Sequence, residues 1–424
     1  MQRTTSTILL LLFTILPALA YAQIEEEVQV NLMEIWVKVT DKAGNAVTDL
    51  NPEDFQILVD GESLPPRCFD STFARSLNST AENGEAGAAS GPASEGRSFI
   101  FYFDMLNTMP GDMDFLKARM ADFLSESFRE EDRAMVFALL PTVHLGLVQN
   151  WTSDRFTLMK VIQKMHGNMT LQASLQGNER NLLDMLYPSD ARNENDGGGD
   201  RLSGQMSQEG LQQARLFAGS LARQDASRSR MTLHSFLSIA SYLSGFPEQR
   251  PVLIYASGGF PLYPGQQYYQ VVQKAVEQRL LQSPADITAI ERPSTDFQNE
   301  VRNVMGRLNR LNVTVYSLDA KGLLTAQRGA ERSAGEVRVG LDLFEQNQQL
   351  QDSLVLLSRE TGGFAFINNQ DYGRAMSDII RDLNEQYWLC VDLPAFKKRG
   401  AYHKIEVKVD RPGVQVRHRK GYME

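Results

Sequence analysis

The stretch SFIFYFDMLNTM, residues 98–109, decides the fold. Five consecutive apolar side chains, Phe99 to Phe103, run directly into Asp104. An apolar run of this length without alternation is typical of a strand buried on both faces, as in a parallel sheet. The aspartate at its end then has two interpretations. It marks a ligand site at the carboxyl edge of such a sheet, or it makes the local hydrogen bonds of a turn or helix cap.

The chain after this stretch alternates apolar strands with amphipathic helices. Further apolar runs occur at 134–140, 251–256, 312–319 and 362–367. Between them lie stretches with apolar residues at helical spacing, among them TLHSFLSIASYLSGF, which we expect to begin a helix at Thr232. This alternation predicts an α/β fold, with a doubly wound, mostly parallel sheet that helices cover on both faces.

The two ends of the chain have the pattern of β-strands. Neither VQVNLMEIWVKVTD near the start nor HKIEVKVD near the end brings enough strands to bury an apolar face alone. We therefore expect residues 23–72 and 386–424 to pack together as one small β-sandwich. These segments contain Cys68 and Cys390, which either form a disulfide or remain separate thiols. The expected packing favours the disulfide, which would persist in an exported protein.

The first 22 residues have the pattern of a signal peptide. Arg3 precedes an apolar core, and Ala20-Tyr21-Ala22 forms a small-residue cleavage site. The protein is therefore predicted to be secreted or periplasmic after cleavage near Ala22. No later stretch approaches the roughly 20 apolar residues of a membrane span, so none is expected in the mature chain.

Composition sets two further segments apart. Residues 73–97 are rich in Ala, Gly, Ser and Glu and are predicted to form a linker. The α/β domain is predicted at 98–385, and within it residues 167–230 are polar and glycine-rich, which indicates an insertion.

Charge and residue types exclude several classes of function. The net charge of −9 argues against a nucleic-acid partner, which calls for a basic face. The two cysteines and five scattered histidines have no spacing that suits a Cys/His metal site.

An ordered set of short motifs resembles a known family. VTDKAGNAVTDLNPEDFQILVDG, FDMLNT, LIYASGGFP, VYSLDAKGL, TGGFAF and RKGY occur in this order along the chain. Together they resemble von Willebrand factor A-related proteins of the group first described in Acidobacteria. The resemblance runs from about Val28 to Tyr422. It implies an A-type α/β domain that takes part in adhesion or protein binding, and a divalent cation at the end of the first strand.

The cation site that the resemblance implies is degenerate here. Asp104 matches the first aspartate of the Asp-x-Ser-x-Ser motif, Leu106 replaces its first serine, and Thr108 replaces its second. Thr232 matches the family's threonine, and Ser257 stands where its last aspartate would be. Because charge is a main determinant of affinity for Mg²⁺ and similar cations, this set predicts weak binding or none. The alternative is a structural Asp104 that accepts hydrogen bonds from Asn107, Thr108 and backbone amides.

A hydrolase is the second hypothesis. YASGG resembles a Gly-x-Ser-x-Gly nucleophile elbow in which Tyr255 replaces the first glycine. Ser257, Asp319 and His403 follow in the order of a catalytic triad. The non-catalytic alternative is a tight turn after a strand, in which glycines supply positive φ.

The combined prediction is an exported, non-enzymatic protein that mediates protein–protein or surface adhesion. The contact is expected at the carboxyl edge of the sheet, where Asp104, Thr108, Thr232 and Ser257 would gather. The partner is an unidentified protein or cell-surface ligand, and the cofactor is Mg²⁺ or another divalent cation, or none. The alternatives are the serine hydrolase and a purely structural envelope scaffold without metal.

Overall fold

The computed structural model describes residues 32–73, 96–142, 144–186, 208–246, 250–280, 297–321, 343–368, 371–393 and 400–424. The predicted signal peptide, residues 74–95 of the predicted linker and residues 187–207 of the predicted insertion lie outside the described residues.

Strands and helices alternate through the central part of the chain. The strands are β1 (Leu32–Thr40), β2 (Phe55–Val59), β3 (Glu62–Leu64), β4 (Cys68–Ser71), β5 (Ser98–Asp104), β6 (Arg133–Leu139), β7 (Leu145–Thr152), β8 (Pro251–Ser257), β9 (Thr314–Asp319), β10 (Ala365–Phe366), β11 (Tyr387–Asp392), β12 (Tyr402–Val409), β13 (Gln415–Arg417) and β14 (Gly421–Met423). The helices are α1 (Pro110–Glu126), α2 (Arg155–Ile162), α3 (Met169–Leu186), α4 (Gln208–Leu243), α5 (Gln266–Leu280), α6 (Gln298–Arg310), α7 (Leu343–Glu360) and α8 (Tyr372–Asn384).

The central sheet has the strand order β10-β9-β8-β5-β6-β7. All neighbouring strands are parallel except β7, which runs antiparallel to β6 at the edge. Counted within this sheet from the β7 edge, the order is 3-2-1-4-5-6, the doubly wound arrangement. All residues of β5, β8 and β9 are buried, which explains their continuous apolar sequences. The predicted α/β fold class is confirmed.

Helices cover both faces of this sheet. Because side chains alternate across a strand, Phe99, Phe101 and Phe103 of β5 enter the core formed with α1, α2 and α8. Ile100 and Tyr102 enter the opposite core, formed with α4, α6 and α7. Asp104, the last residue of β5, is two positions after Tyr102 and therefore lies on the same side of the sheet, facing α4.

The chain ends form two four-stranded antiparallel sheets, β13-β1-β11-β4 and β14-β12-β2-β3. Their apolar faces share one core, which includes Ile35 and Leu389 from the first sheet and Ile57 and Ile405 from the second. The predicted β-sandwich of the two chain ends is confirmed.

Cys68 and Cys390 form a disulfide. The two residues stand directly opposite each other in the antiparallel pairing of β4 with β11, with their Cα atoms 4.9 Å apart. The expected disulfide is confirmed, and it links the two ends of the chain.

The helix expected to begin at Thr232 begins at Gln208 and is 36 residues long. The expectation of a helix start at Thr232 is wrong. The earlier part of α4 buries mainly small side chains, Ala214, Ala218 and Ala222, against α3 and α5. Alanines add little apolar character, so this half of the helix does not stand out from a polar stretch. None of the helices in the described ranges combines the length and apolar character needed to cross a membrane.

Candidate functional site at the carboxyl edge of the sheet

Four residues singled out from the sequence meet at the carboxyl edge of the central strands. Asp104 ends β5, Ser257 ends β8, Thr108 lies in the loop after β5, and Thr232 projects from the middle of α4. Hydrogen bonds connect them directly or through Asn107 and the backbone of Gly258. All four side chains are 0 % exposed.

Strand alternation explains why three polar side chains meet here. In β8, Leu253 faces the α4 side, so Tyr255 and Ser257 face that side too. The register pairs Tyr102 with Tyr255 and Phe103 with Ala256. Asp104 of β5 therefore has Ser257 as its neighbour on the next strand, with Tyr255 one side-chain step below.

The Asp104 carboxylate is surrounded by hydrogen-bond donors. Its Oδ2 accepts from the Tyr255 hydroxyl at 2.5 Å, from Asn107 Nδ2 at 2.7 Å and from the Ser257 hydroxyl at 3.0 Å. Its Oδ1 accepts from the Asn107 backbone N–H at 3.1 Å. The predicted partner Asn107 is confirmed. Thr108 forms no hydrogen bond with Asp104 within the described part of the chain, and its hydroxyl oxygen accepts from the Gly258 N–H at 3.2 Å.

Burial and hydrogen bonding act on this carboxyl in opposite directions. Burial raises the pKa of Asp104 above its ordinary value, whereas the hydrogen bonds from Asn107, Tyr255 and Ser257 act to lower the pKa. Burial also raises the pKa of the Tyr255 hydroxyl well above its ordinary value, with the Asp104 charge adding to the effect. Tyr255 is therefore a hydrogen-bond donor at any physiological pH.

The turn after β8 depends on two glycines for different reasons. Gly259 has a φ of 79°, in the left-handed region that favours glycine. Gly258 lies against the loop after β5, and a Cβ at this position would stand 2.3 Å from the Asn107 carbonyl oxygen. The interpretation as a turn with positive φ thus holds for Gly259. Gly258 is required instead because the turn lies so close to the loop after β5.

These residues do not fit a divalent cation in this arrangement. A hard cation needs several oxygens with lone pairs that point to one place. Both Asp104 oxygens already accept hydrogen bonds, and Ser257 Oγ both donates to Asp104 and accepts from the Gly259 N–H at 3.0 Å. Leu106 supplies no oxygen. Among the described residues no group of three or more His, Cys, Asp or Glu side chains is arranged to hold a metal.

Two helices cover this edge. Asn168, just before α3, donates its backbone N–H to the Thr108 carbonyl at 2.7 Å and its side-chain amide to the Leu106 carbonyl at 3.1 Å. Leu350 of α7 places its carbonyl so close to Gly259 that no side chain could fit between them. Asp104, Thr108, Thr232 and Ser257 therefore gather at this edge as expected, but their side chains are buried and cannot themselves touch a partner. Polar groups that satisfy one another can be buried, and helices then pack over them.

Three residues that matter here were not found from the sequence: Tyr255, Asn168 and Gln351. Tyr255 carried a signal, because it shares the period-two face of Ser257 in PVLIYAS. Nothing in the sequence around Asn168 or Gln351 marks them, because each hydrogen-bonds to a strand end or strand-end loop that is distant in the chain. Gln351 donates to Asp319 Oδ2 at 2.6 Å.

The residues of the hydrolase hypothesis are not brought together. Ser257 and Asp319 are neighbours at the ends of β8 and β9. His403 lies in β12 of the sandwich, where its Nδ1 is 2.8 Å from Asp60 Oδ2 and its ring stacks on Tyr422. Ser257 thus has no histidine of the proposed triad to activate it, and this triad is wrong.

Comparison with solved structures finds distant likenesses. No family model and no curated protein matches the chain. Among solved structures, the conserved hypothetical protein BatB from Bacteroides thetaiotaomicron is 9 % identical with a TM-score of 0.31, covering 68 % of this chain and 97 % of that chain. Proximal thread matrix protein 1 from the mussel byssus, with a zinc-occupied MIDAS motif, is 11 % identical with a TM-score of 0.29, covering 70 % and 48 %. The three N-terminal domains of the type V pili tip protein Mfa5 from Porphyromonas gingivalis are 8 % identical with a TM-score of 0.31, covering 93 % and 65 %.

Likenesses this distant assign no role to any residue. The strand order and the antiparallel edge strand of the central sheet define a doubly wound α/β fold, and its von Willebrand factor A type stays a prediction. Membership of the Acidobacterial group stays a prediction.

Proposed function

We propose that this chain is an exported, non-enzymatic protein-interaction module that works without a divalent cation. The observation that supports it is the closed hydrogen-bond cluster around Asp104, whose Oδ2 accepts from Asn107, Tyr255 and Ser257. A cation-dependent adhesion site needs an open position where the partner's carboxylate completes the metal shell. Here the oxygens of the Asp104 carboxylate already accept hydrogen bonds from donors within the protein, and helices cover the edge.

The contact with a partner is then made by the outer surface of the same edge. Met169 directly follows Asn168, which binds the loop after β5, and its side chain is 77 % exposed. Tyr263, in the loop after β8, is 40 % exposed. Single exposed apolar side chains are ordinary on a protein surface, so Met169 and Tyr263 serve to locate the surface that the experiment below tests.

Export is part of the proposal. The Cys68–Cys390 disulfide is of a kind that persists in oxidising compartments outside the cytoplasm. We also propose that residues 23–72 and 386–424 are one domain and residues 98–385 the other, since the two end segments share one core.

The metal part of the proposal is tested by calorimetry on the purified mature protein. Titration with Mg²⁺ and with Mn²⁺ up to millimolar concentration is expected to give no saturable heat. Saturable binding that disappears in Asp104→Asn would overturn the cation-free site. The variant is matched, because Asn keeps the size of the side chain but removes its charge.

The interaction part is tested by retention of the protein on an envelope fraction of the producing cells. Retention is expected to be equal in EDTA and in Mg²⁺, and to fall in Met169→Ser and Tyr263→Ser. Phe156→Ser is the control, because Phe156 is 80 % exposed on α2 and lies outside the proposed contact. Retention that all three variants preserve, or no retention of the wild type, would favour the structural scaffold. Labelling of Ser257 by a fluorophosphonate probe would overturn the proposal that the protein is not an enzyme.

A further inference from the structure

A small pocket lies where the sandwich meets the amino ends of the parallel strands, at the opposite end of the sheet from Asp104. Arg250 directly precedes β8, and Asn312 and Val313 directly precede β9. From the sandwich side come Trp36 of β1 and Arg419, which lies between β13 and β14. Two guanidinium groups from different parts of the chain thus line one pocket.

Arg250 is half-buried, and its side chain has few hydrogen-bond partners among the described residues. Its guanidinium lies over the Trp36 ring, 3.5 Å from the ring centroid, and Nη2 donates to Gln386 Oε1 at 2.6 Å. Its Nε–H is buried with no hydrogen-bond acceptor. No acidic side chain of the described residues forms an ion pair with Arg250 within 4.0 Å. A stacked guanidinium that bonds one amide keeps donor capacity for a further ligand.

Arg419 is buried, and its hydrogen-bond acceptors among the described residues are all neutral. Its side chain donates to the carbonyls of Glu34 and Asn309 and, at 2.9 Å, to Asn312 Oδ1. Its Nε–H likewise has no acceptor. Burial lowers the pKa of Arg250 and of Arg419 to about 10 each, and the charge of Arg419 adds to the effect on Arg250. The two cations therefore disfavour each other.

Nearby acids compensate only part of this charge. Asp382 forms an ion pair with Arg417 and accepts from the Tyr316 hydroxyl at 2.6 Å. Glu34 Oε2 accepts from Asn312 Nδ2 at 3.2 Å. Among the described residues, Asp382 is thus paired with Arg417, and neither Asp382 nor Glu34 forms an ion pair with Arg250 or Arg419.

We propose that this pocket binds one small anion, of the size of chloride or formate, against the guanidinium of Arg250. The cavity volume is about 20 Å³, which admits one or two waters or one small ion and excludes a sugar or a nucleotide. The anion accepts from guanidinium N–H groups that have no acceptor among the described residues, and it joins the sandwich to the sheet. This inference is independent of the proposed function, because no residue of the carboxyl edge takes part.

Chloride binding is measured by the ³⁵Cl line width of a chloride solution on addition of the whole protein. Excess broadening is expected with the wild type, and competition by formate is expected to remove it. In Arg250→Gln the affinity is expected to fall at least about tenfold, since truncating one partner of a buried charged pair has an effect of this size or larger. Arg374→Gln on α8 is the control, because that side chain is 70 % exposed, and it is expected to bind as the wild type does.

A crystal of the wild type soaked in bromide provides the second measurement, which needs no variant to fold. An anomalous peak against the Arg250 guanidinium is expected. The proposal is overturned by water alone in the pocket, by the absence of excess broadening in the wild type, or by equal broadening in folded Arg250→Gln.

Discussion

Tyr255 donates its hydroxyl hydrogen to Asp104 Oδ2 over 2.5 Å, although 151 positions separate the two residues in the chain. Both lie on neighbouring parallel strands, and the register makes the tyrosine ring lie along β8 towards the end of β5. Tyr255, which replaces the first glycine of a nucleophile elbow, is therefore a hydrogen-bond partner of Asp104, which matches a metal ligand of the family motif. One contact argues against both chemistries that the sequence raised.

Removal of this hydroxyl is expected to destabilise the fold. In Tyr255→Phe the buried carboxylate loses one of three donors to Oδ2, and hydrogen bonds to charged groups contribute about 1.5–3 kcal/mol. The free energy of unfolding, measured in urea, should fall by that amount. Tyr263→Phe is the control and should change it by less than about 0.5 kcal/mol, because Tyr263 is at the surface. Equal stability of Tyr255→Phe and the wild type would mean that Asp104 does not need this donor.

Substitution of Gly258 tests the close approach of the two strand-end loops. In Gly258→Ala the new Cβ would stand 2.3 Å from the Asn107 carbonyl oxygen, which forces the backbone to move. The expected loss of stability is about 1–3 kcal/mol, the usual cost of overpacking. Gly111→Ala in the first turn of α1 meets nothing within 4 Å and should be neutral or stabilising. A Gly258→Ala protein as stable as Gly111→Ala would show that the loops can separate without cost.

The buried His418 predicts a loss of stability in acid. Its Nδ1–H donates to the Arg419 carbonyl at 2.6 Å, and its Nε2 accepts from the Val407 N–H at 3.2 Å, so the ring is neutral in the fold. Burial lowers the pKa of His418 from 6.5 to about 4. A folded-state pKa below the unfolded value means that the stabilisation is complete above about pH 6.5. It is lost as the pH falls through about 4, by about 3 kcal/mol in all.

The matched variant for this effect is His418→Gln, which keeps an acceptor for Val407 but cannot become charged. The difference in unfolding free energy between wild type and variant, measured from pH 7 to pH 4, should shift in favour of the variant as the pH falls. A difference that stays constant over this range would show that His418 does not titrate on unfolding.

Reduction of the disulfide should weaken the attachment of the chain ends to each other. Cys68 and Cys390 are 322 positions apart, so their bond restricts the unfolded chain strongly. We expect dithiothreitol to lower the wild-type free energy of unfolding by about 2–5 kcal/mol. The double variant Cys68→Ala/Cys390→Ala is the control, and its stability should not depend on the reductant. A wild type that is insensitive to reductant would contradict a bonded pair.

Local pattern was sufficient where burial follows from the run of side chains. The unbroken apolar sequences before Asp104 and Ser257 predicted buried parallel strands, and both chain ends had strands with an apolar face to pack. Local pattern did not predict the first half of α4. There Ala214 and Ala218 pack against neighbouring helices, but alanines have too little apolar surface to stand out among polar residues. The pattern also did not reveal that Asn168 covers the loop after β5, because nothing local marks a contact with residues some sixty positions earlier.

The sequence by itself determined the alternation of strands and helices and the end of two buried strands at Asp104 and Ser257, whereas the pairing of Cys68 with Cys390 was seen only in the register of β4 and β11. The alternation and the strand ends depend on periodicity and on residue type, which act over a few neighbours. Only the tertiary structure decided that Asp104 is enclosed rather than open to a cation. The lone pairs of a carboxylate are taken by whichever donors the packing brings within reach, and here those donors come from β8 and from the loop after β5, under helices that begin and end far away in the chain.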